Sequence, residues 1–445
     1  MMGKSVIWKL VAVGVLALLL LIPLAMVGGV VDQRGMQREQ AVRNVAEGAA
    51  GEQVLAGPVL VLPYRQLETV KDREGGVREE WRRRHTAILP SKLAAGGTLS
   101  TFTRQLGIYP VRLYGAEVKL TGLFEIPSRD SLVQGVQSGQ IEWGQPYLAI
   151  GIRDVRGIKT SPVLQWGSAT SPFMPGTNFK PLGGGIRAML PQSDGAAQTV
   201  PFSFRLSLDG MESFKLLPVG RDTEMSLNSP WPHPNFIGGF LPEERRMSDA
   251  GFSARWRTSW FASNMRERFD QCLAGECNEF NATQLGVKLI DPIDAYAQTD
   301  RAVKYGFLFV FLTFCTFFLT EVLKRVAIHP VQYGLVGLSL ALFFLLLLSL
   351  SEHFPFVYAY LVAAAACVLQ NGIYARYALG SLMRGLAFAG QLAVLYGLLF
   401  ALLCSEDHAL LLGSLLLFGV LTAVMMLTRK LDWYRLEPAK VQEEH

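Results

Sequence analysis

The chain has 445 residues, 50% hydrophobic and only 18% charged, below the roughly 25% charge of an ordinary soluble domain; this indicates lipid-facing surface and excludes an intrinsically disordered chain. The 42 Lys and Arg nearly cancel the 37 Asp and Glu, for a formal charge of +5, which argues against a nucleic-acid partner. Five Cys in this length cannot form a disulfide framework.

The first predicted element is apolar. Leu10 to Val31 contains no charged residue and follows Lys4 and Lys9, so it is long enough to cross a hydrocarbon core of roughly 30 Å at about 1.5 Å per residue. No A-x-A site precedes Asp32, and the segment is expected to stay as an anchor rather than be cleaved as a signal peptide. From Asp32 to Ala50, Met36, Ala41, Val42 and Val45 recur at helical spacing, so a short helix should continue from the anchor.

Beyond Gly57 the pattern becomes strand-like. Val59 to Leu62 is a short apolar run bounded by Pro58 and Pro63, and Thr69 to Lys71 and Val77 to Ala87 flank Gly75 and Gly76 as in a hairpin. Phe202, Phe204, Leu206 and Leu208 alternate with polar residues, as do Phe252, Ala254 and Trp256. Such segments predict an all-β domain of one or two units, with the glycine run Gly183 to Gly185 as a loop between them. Cys272 and Cys277 lie in this part; outside the cytoplasm a disulfide is expected, whereas a metal site lacks a second Cys pair.

Five further apolar segments follow, near 303–323, 331–351, 355–375, 383–404 and 408–428. The resulting fold class is an α+β membrane protein with six transmembrane helices, one N-terminal and five C-terminal, around a large β-rich domain. Its segments are 1–31, 32–302, 303–428 and 429–445. Lys4 and Lys9, Lys324 and Arg325, Arg376 and Arg384, and Arg429 and Lys430 fall on one side of the alternating spans, while the hairpins at Ser351–His353 and Ser405–Asp407 hold no Lys or Arg. The positive-inside rule then places both termini in the cytoplasm and residues 32–302 in the periplasm of an inner membrane.

No G-x-S-x-G, H-E-x-x-H, C-x-x-C, Walker A or G-x-G-x-x-G motif is present, and no cofactor or catalytic residue is expected. Glu352, His353, Glu406, Asp407 and His408 sit at the outer ends of neighbouring spans, where they offer metal ligands or, more simply, polar caps at the interface. Arg82, Arg83 and Arg84, within WRRRH, are candidates for contact with anionic envelope components or for the charged protection of an edge strand; alternation must turn one of them away from its neighbours. Polar residues inside the predicted spans are few and mostly uncharged, which disfavours a proton-coupled pump.

The segment NSPWPHPNFIGGFLP (Asn228–Pro242) has too many prolines for a helix or central strand and predicts a rigid extended loop. Trp231 and His233 in it either contact a partner or plug the domain itself. With AGFSARWRTSWFASN (Ala250–Asn264), TDRAVKY (Thr299–Tyr305), the stretch His329–His353, NGIY (Asn371–Tyr374), DHALLLG (Asp407–Gly413) and LTRKLDWY (Leu427–Tyr434), the chain resembles the CreD family of Gram-negative inner-membrane proteins. The resemblance covers nearly the whole chain. It implies a non-enzymatic protein of envelope integrity in the CreBC two-component response, associated with colicin tolerance and β-lactam response; it brings no catalytic residues. Expected partners are the lipid bilayer and periplasmic or outer-envelope components. A transporter for neutral or lipid-like molecules and an envelope-modifying metalloenzyme are the alternatives.

Overall fold

The computed structural model describes residues 3–71, 77–133, 140–290, 295–324, 328–405 and 409–429. It forms two compact units, one from Met1–Glu39 with Ile293–His445 and the other from Gln40–Pro292.

The Gln40–Pro292 unit is built on a 16-stranded hydrogen-bonded sheet running from Pro234–Gly238 at one end to Glu244–Ser248 at the other, with Val77–Ile88 and Ile141–Trp143 branching off the long strand Gln53–Lys71. Both halves of that path feed one core: Leu60, Phe214 and Val287 from one meet Leu120, Phe204 and Trp256 from the other. The sheet therefore folds over on itself in the manner of a sandwich. Alternation builds that core, since Phe202, Phe204, Leu206 and Leu208 are buried while Arg205 is exposed, and Trp256 is 1% accessible between exposed Arg255 and Arg257. Each such side chain contributes about 1.5–3 kcal/mol by leaving water.

Two expectations change here. The prolines do not end the strand at Val59–Leu62; it runs 19 residues from Gln53 to Lys71. Pro58 sits at a register shift between Ala56 and Val59. Pro63 falls where pairing passes from Tyr147–Ile152 to Ile141–Trp143, so neither ring removes a required ladder bond. The glycine run is not a linker between units either. Gly183 has φ +64° and turns the chain into strand Gly185–Met189 inside the one sheet, a conformation glycine adopts without strain.

Residues 72–76 lie outside the described residues, but the expected hairpin arms pair antiparallel from Leu60↔Ile88 to Lys71↔Val77. At the far edge, every residue of Glu244–Ser248 is exposed, with Glu244, Arg245 and Arg246 in sequence. Within this unit the last turns of helix Leu21–Gly48 lay Val42, Val45 and Ala46 on Val111, Leu113 and Met211. Arg156 Nη1 and Nη2 donate to the Glu47 and Ala46 carbonyls at 2.6 and 3.0 Å, satisfying acceptors that a helix end leaves unpaired.

In the other unit, helices Gly3–Leu19 and Leu21–Gly48 follow one another across Leu20, and helices Pro330–Ser351, Phe356–Ala378, Leu382–Cys404 and Ala409–Thr428 are apolar. Among the described residues four helical segments are long and apolar enough to cross a membrane, or five if the pair Tyr296–Lys304 and Gly306–Phe318, bent by 44°, is one span. The bend comes at Gly306, where a Cβ would stand 2.9 Å from Leu24 Cδ2 and 3.2 Å from Phe344 Cε2; the missing side chain lets both of these pack closely against the helix.

Candidate functional site

The two strands carrying Arg82–Arg84 and Tyr64–Arg65 are register partners, Arg82↔Gln66, Arg83↔Arg65 and Arg84↔Tyr64. Alternation separates the arginines. Arg84 Nε and Nη2 reach Glu68 Oε1 at 3.0 and 2.5 Å, and Arg82 Nε stands 3.7 Å from Glu68 Oε2, so two guanidiniums hold one carboxylate. Arg83 has no carboxylate partner among the described residues. Glu68 beside Arg84 raises the guanidinium pKa further, through its hydrogen bond first and its charge second, so the pair stays ionised.

On its other side the Tyr64–Gln66 stretch pairs with Ile141–Trp143. This places Tyr64 and Trp143 5.2 Å apart and tilted by 46°, and brings Arg65 into an ion pair with Glu142. Together with Arg83, Arg84, His85, Tyr147 and Arg187 these residues line a cleft of about 710 Å³, within the roughly 300–1,000 Å³ usual for small-molecule sites. Arg187 Nη1 donates to the carbonyls of Pro175 and Gly176 at 2.7 and 2.9 Å, which fixes its direction while leaving its charge without a carboxylate among the described residues. Tyr147 donates to Asn178 O at 2.9 Å; burial raises its hydroxyl pKa, and the Arg187 charge pulls it back in part. The registers put Arg65, Arg83, Glu142, Tyr147 and Arg187 on one face of these strands and Tyr64, Arg84 and Trp143 on the other, so the side chains of the ring pair and the carboxylate-free cations do not share one surface.

Of the residues singled out in sequence, Arg83 and Arg84 line this cleft and Arg82 does not. Trp231 and His233 lie elsewhere in the unit. Trp231 packs against the core, its Nε1 donates to Ile290 O at 3.0 Å, the Arg112 guanidinium stands 3.8 Å from its ring centre, and His233 meets it edge-on at 5.8 Å. The loop is shorter than predicted, because Pro234–Gly238 forms the end strand against Leu285–Leu289; proline is tolerated as the first residue of an edge strand. Cys272 and Cys277 are joined as a disulfide across a separation of five residues.

Glu352 is engaged by Arg34 Nε at 3.4 Å and by the Tyr296 hydroxyl at 3.4 Å, while His353 Nδ1 stands 3.2 Å from Ser349 O. Glu406, Asp407 and His408 lie outside the described residues. Among those described, no group of three or more His, Cys, Asp or Glu could hold a metal ion. Sequence reasoning missed Tyr64, Arg65, Glu142, Trp143 and Arg187. Ile141–Trp143 is a strand of three residues, too short for any periodicity to register.

Comparison with known proteins places the chain. The family model described as inner membrane protein CreD matches residues 5–434. Inner membrane protein CreD of Escherichia coli (strain K12) is 34% identical over 445 residues, covering 99% of this chain and 97% of that protein. The chain belongs to the CreD family. With several apolar helices, it is a membrane protein of that inner-membrane family. Among solved structures, a protein described as nutrient-binding from Legionella pneumophila gives a TM-score of 0.20 at 9% identity, over 38% of this chain and 65% of that one. An M1 zinc metallopeptidase from Deinococcus radiodurans gives 0.21 at 10%, over 38% and 39%. Likeness at this level carries no argument about fold or activity.

Proposed function

We propose that this CreD-family member is a six-span inner-membrane protein with both termini in the cytoplasm. In this reading residues 32–302 are periplasmic and form a non-enzymatic module that contacts envelope components or partner proteins. It maintains envelope integrity within the response controlled by the CreBC two-component system. The observation that carries the reading is the insertion of a whole β unit between the N-terminal apolar helix and the C-terminal apolar helices in a chain of this family. The basic clusters on one side of the alternating spans support the orientation. A transport role gains nothing from the helical unit. Its buried polar group, Ser339, Cys367, Asn371 and Tyr396, is internally hydrogen-bonded, with Asn371 Nδ2 donating to Ser339 Oγ at 2.9 Å and the Tyr396 hydroxyl to Cys367 Sγ at 2.9 Å, and this reads as glue between helices.

The test is a pair of reporter fusions near residue 200, one active only in the periplasm and one only in the cytoplasm. Activity of the periplasmic reporter alone is expected, and the reverse ends the proposal. In a strain lacking the gene, the intact chain should restore resistance to envelope-active agents, whereas a chain without residues 53–289 should not.

A further inference from the structure

We infer that the turn joining strands Lys92–Leu106 and Tyr109–Ile126 dips into the headgroup layer of the bilayer and holds the sheet unit to the lipid surface. The turn has two residues, Gly107 and Ile108, between the paired Leu106 and Tyr109. Gly107 has φ +61°, as the first central position of a tight hairpin turn requires. The second central position holds Ile108, 38% exposed, and beside the turn Leu106 is 40% exposed. Polar residues usually fill such an apex. Two large aliphatic side chains there are apolar surface kept out of the core, which points to an apolar partner.

The helix Leu21–Gly48 supplies direction and height. Met211 N donates to Gly51 O at 3.1 Å, and Met211 pairs with Leu113, so Leu113 lies level with the end of that helix. Two residues nearer the turn, Val111 is buried in the cluster that Val42, Val45 and Ala46 share. The hairpin therefore runs back along the helix in the direction of its apolar run. At about 3.3 Å per strand residue the apex lies roughly 20 Å beyond Leu113. The helix takes about 26 Å from Gly48 back to Val31, the last residue of the apolar run, at about 1.5 Å per residue. The difference of about 6 Å matches the headgroup layer, roughly 5–7 Å thick on each side of the hydrocarbon core. Leu106 and Ile108 then meet the acyl boundary, and Tyr109 brings a ring of the kind that favours this interface. Arg104, two residues back from Leu106 on the same face, can extend its guanidinium to the lipid phosphates.

The inference holds on whichever side of the membrane the sheet unit lies, so it stands apart from the outcome of the reporter fusions; it needs only that the apolar run up to Val31 lies in lipid. For the test, the full chain is reconstituted in nanodiscs of phosphatidylethanolamine and phosphatidylglycerol with one photoreactive p-benzoylphenylalanine in place of Ile108. In parallel chains the same probe replaces Leu241, 70% exposed in the sheet unit, and Leu369, 65% exposed near the middle of an apolar helix. Mass spectrometry after irradiation counts the lipid adducts. The probe at Ile108 should form about fivefold or more lipid adducts than the probe at Leu241, the preference conferred by burying roughly half of an aliphatic side chain. The probe at Leu369 fixes the yield of a site within lipid. Should the chain probed at Ile108 melt below the intact chain, the same probe at Leu106 decides. Lipid adducts at the apex no more frequent than at Leu241, while Leu369 yields them, overturn the inference; so do apex adducts formed chiefly with a second copy or with other parts of the same chain.

Discussion

The two units use the same apolar side chains in opposite places. In the sheet unit Trp256, Phe214 and Leu120 are almost wholly buried. In the helical unit Leu361, Leu369, Val394 and Leu415 stand 56–65% exposed, while Ser339 and Asn371 are buried at 8% and 2%. One unit hides carbon from its solvent and the other presents it, as expected when one solvent is water and the other is hydrocarbon. Cohesion differs accordingly, coming from apolar burial in the sheet and from close backbone approach and hydrogen bonds in the helices.

Substituting the two interiors tests that contrast most severely. Trp256→Ala should destabilise the sheet unit by about 3–5 kcal/mol, read as loss of the strand signal at a lower temperature in circular dichroism of the full chain. A cost below about 1 kcal/mol would show that the shared core is not its main support.

Exposed positions give the next largest effect. Leu369→Lys, near the middle of the Phe356–Ala378 helix and 65% exposed, should cost about 2.5–3.5 kcal/mol of membrane insertion. Leu241→Lys, 70% exposed in the sheet unit, should change stability by less than about 0.5 kcal/mol. Insertion assays and melting curves compare them directly, and equal effects would collapse the distinction.

Electrostatics sharpens it further. Arg156 beside Asp154 holds the carboxyl at about 2, below the ordinary 3.8, with the Gly51 amide adding to the effect against burial. A carboxyl depressed on folding stabilises the native state fully above pH 3.8 and loses that contribution as the pH falls towards about 2, a difference of about 2 kcal/mol at most. Asp154→Asn should therefore lower stability at neutral pH and flatten the acid limb over that window, as measured by melting temperature against pH.

The smallest effect belongs to the helical interior, where Asn371→Leu should cost about 0.6 kcal/mol and no more than about 1.7 kcal/mol, since such polar contacts are weaker than their burial implies. Unfolding in mixed micelles measures it.

What can be read in sequence follows from the range of each signal. Apolar runs and strict alternation are local, so the anchor helix, the Phe202–Leu208 strand and the Phe252–Trp256 strand are legible from the residues alone. The bend at Gly306 is not, because it falls where the charged stretch Asp300–Lys304 gives way to an apolar run, and the side chains that crowd Gly306, Leu24 and Phe344, are remote in sequence. Prolines 58 and 63 mislead, because their tolerance depends on which neighbour the strand pairs with at those residues. The cleft is legible only by half: Arg83 and Arg84 stand out as part of a charge run, but Arg65 and Glu142 are 77 residues apart, and nothing in either segment names the other.

The end strand Glu244–Ser248 has a consequence for crowding. A sheet of this width must stop somewhere, and its last open row of amides and carbonyls could recruit a neighbouring chain. Consecutive like charges at Arg245 and Arg246 make two such borders repel on approach, so copies that meet there do not zip into fibres.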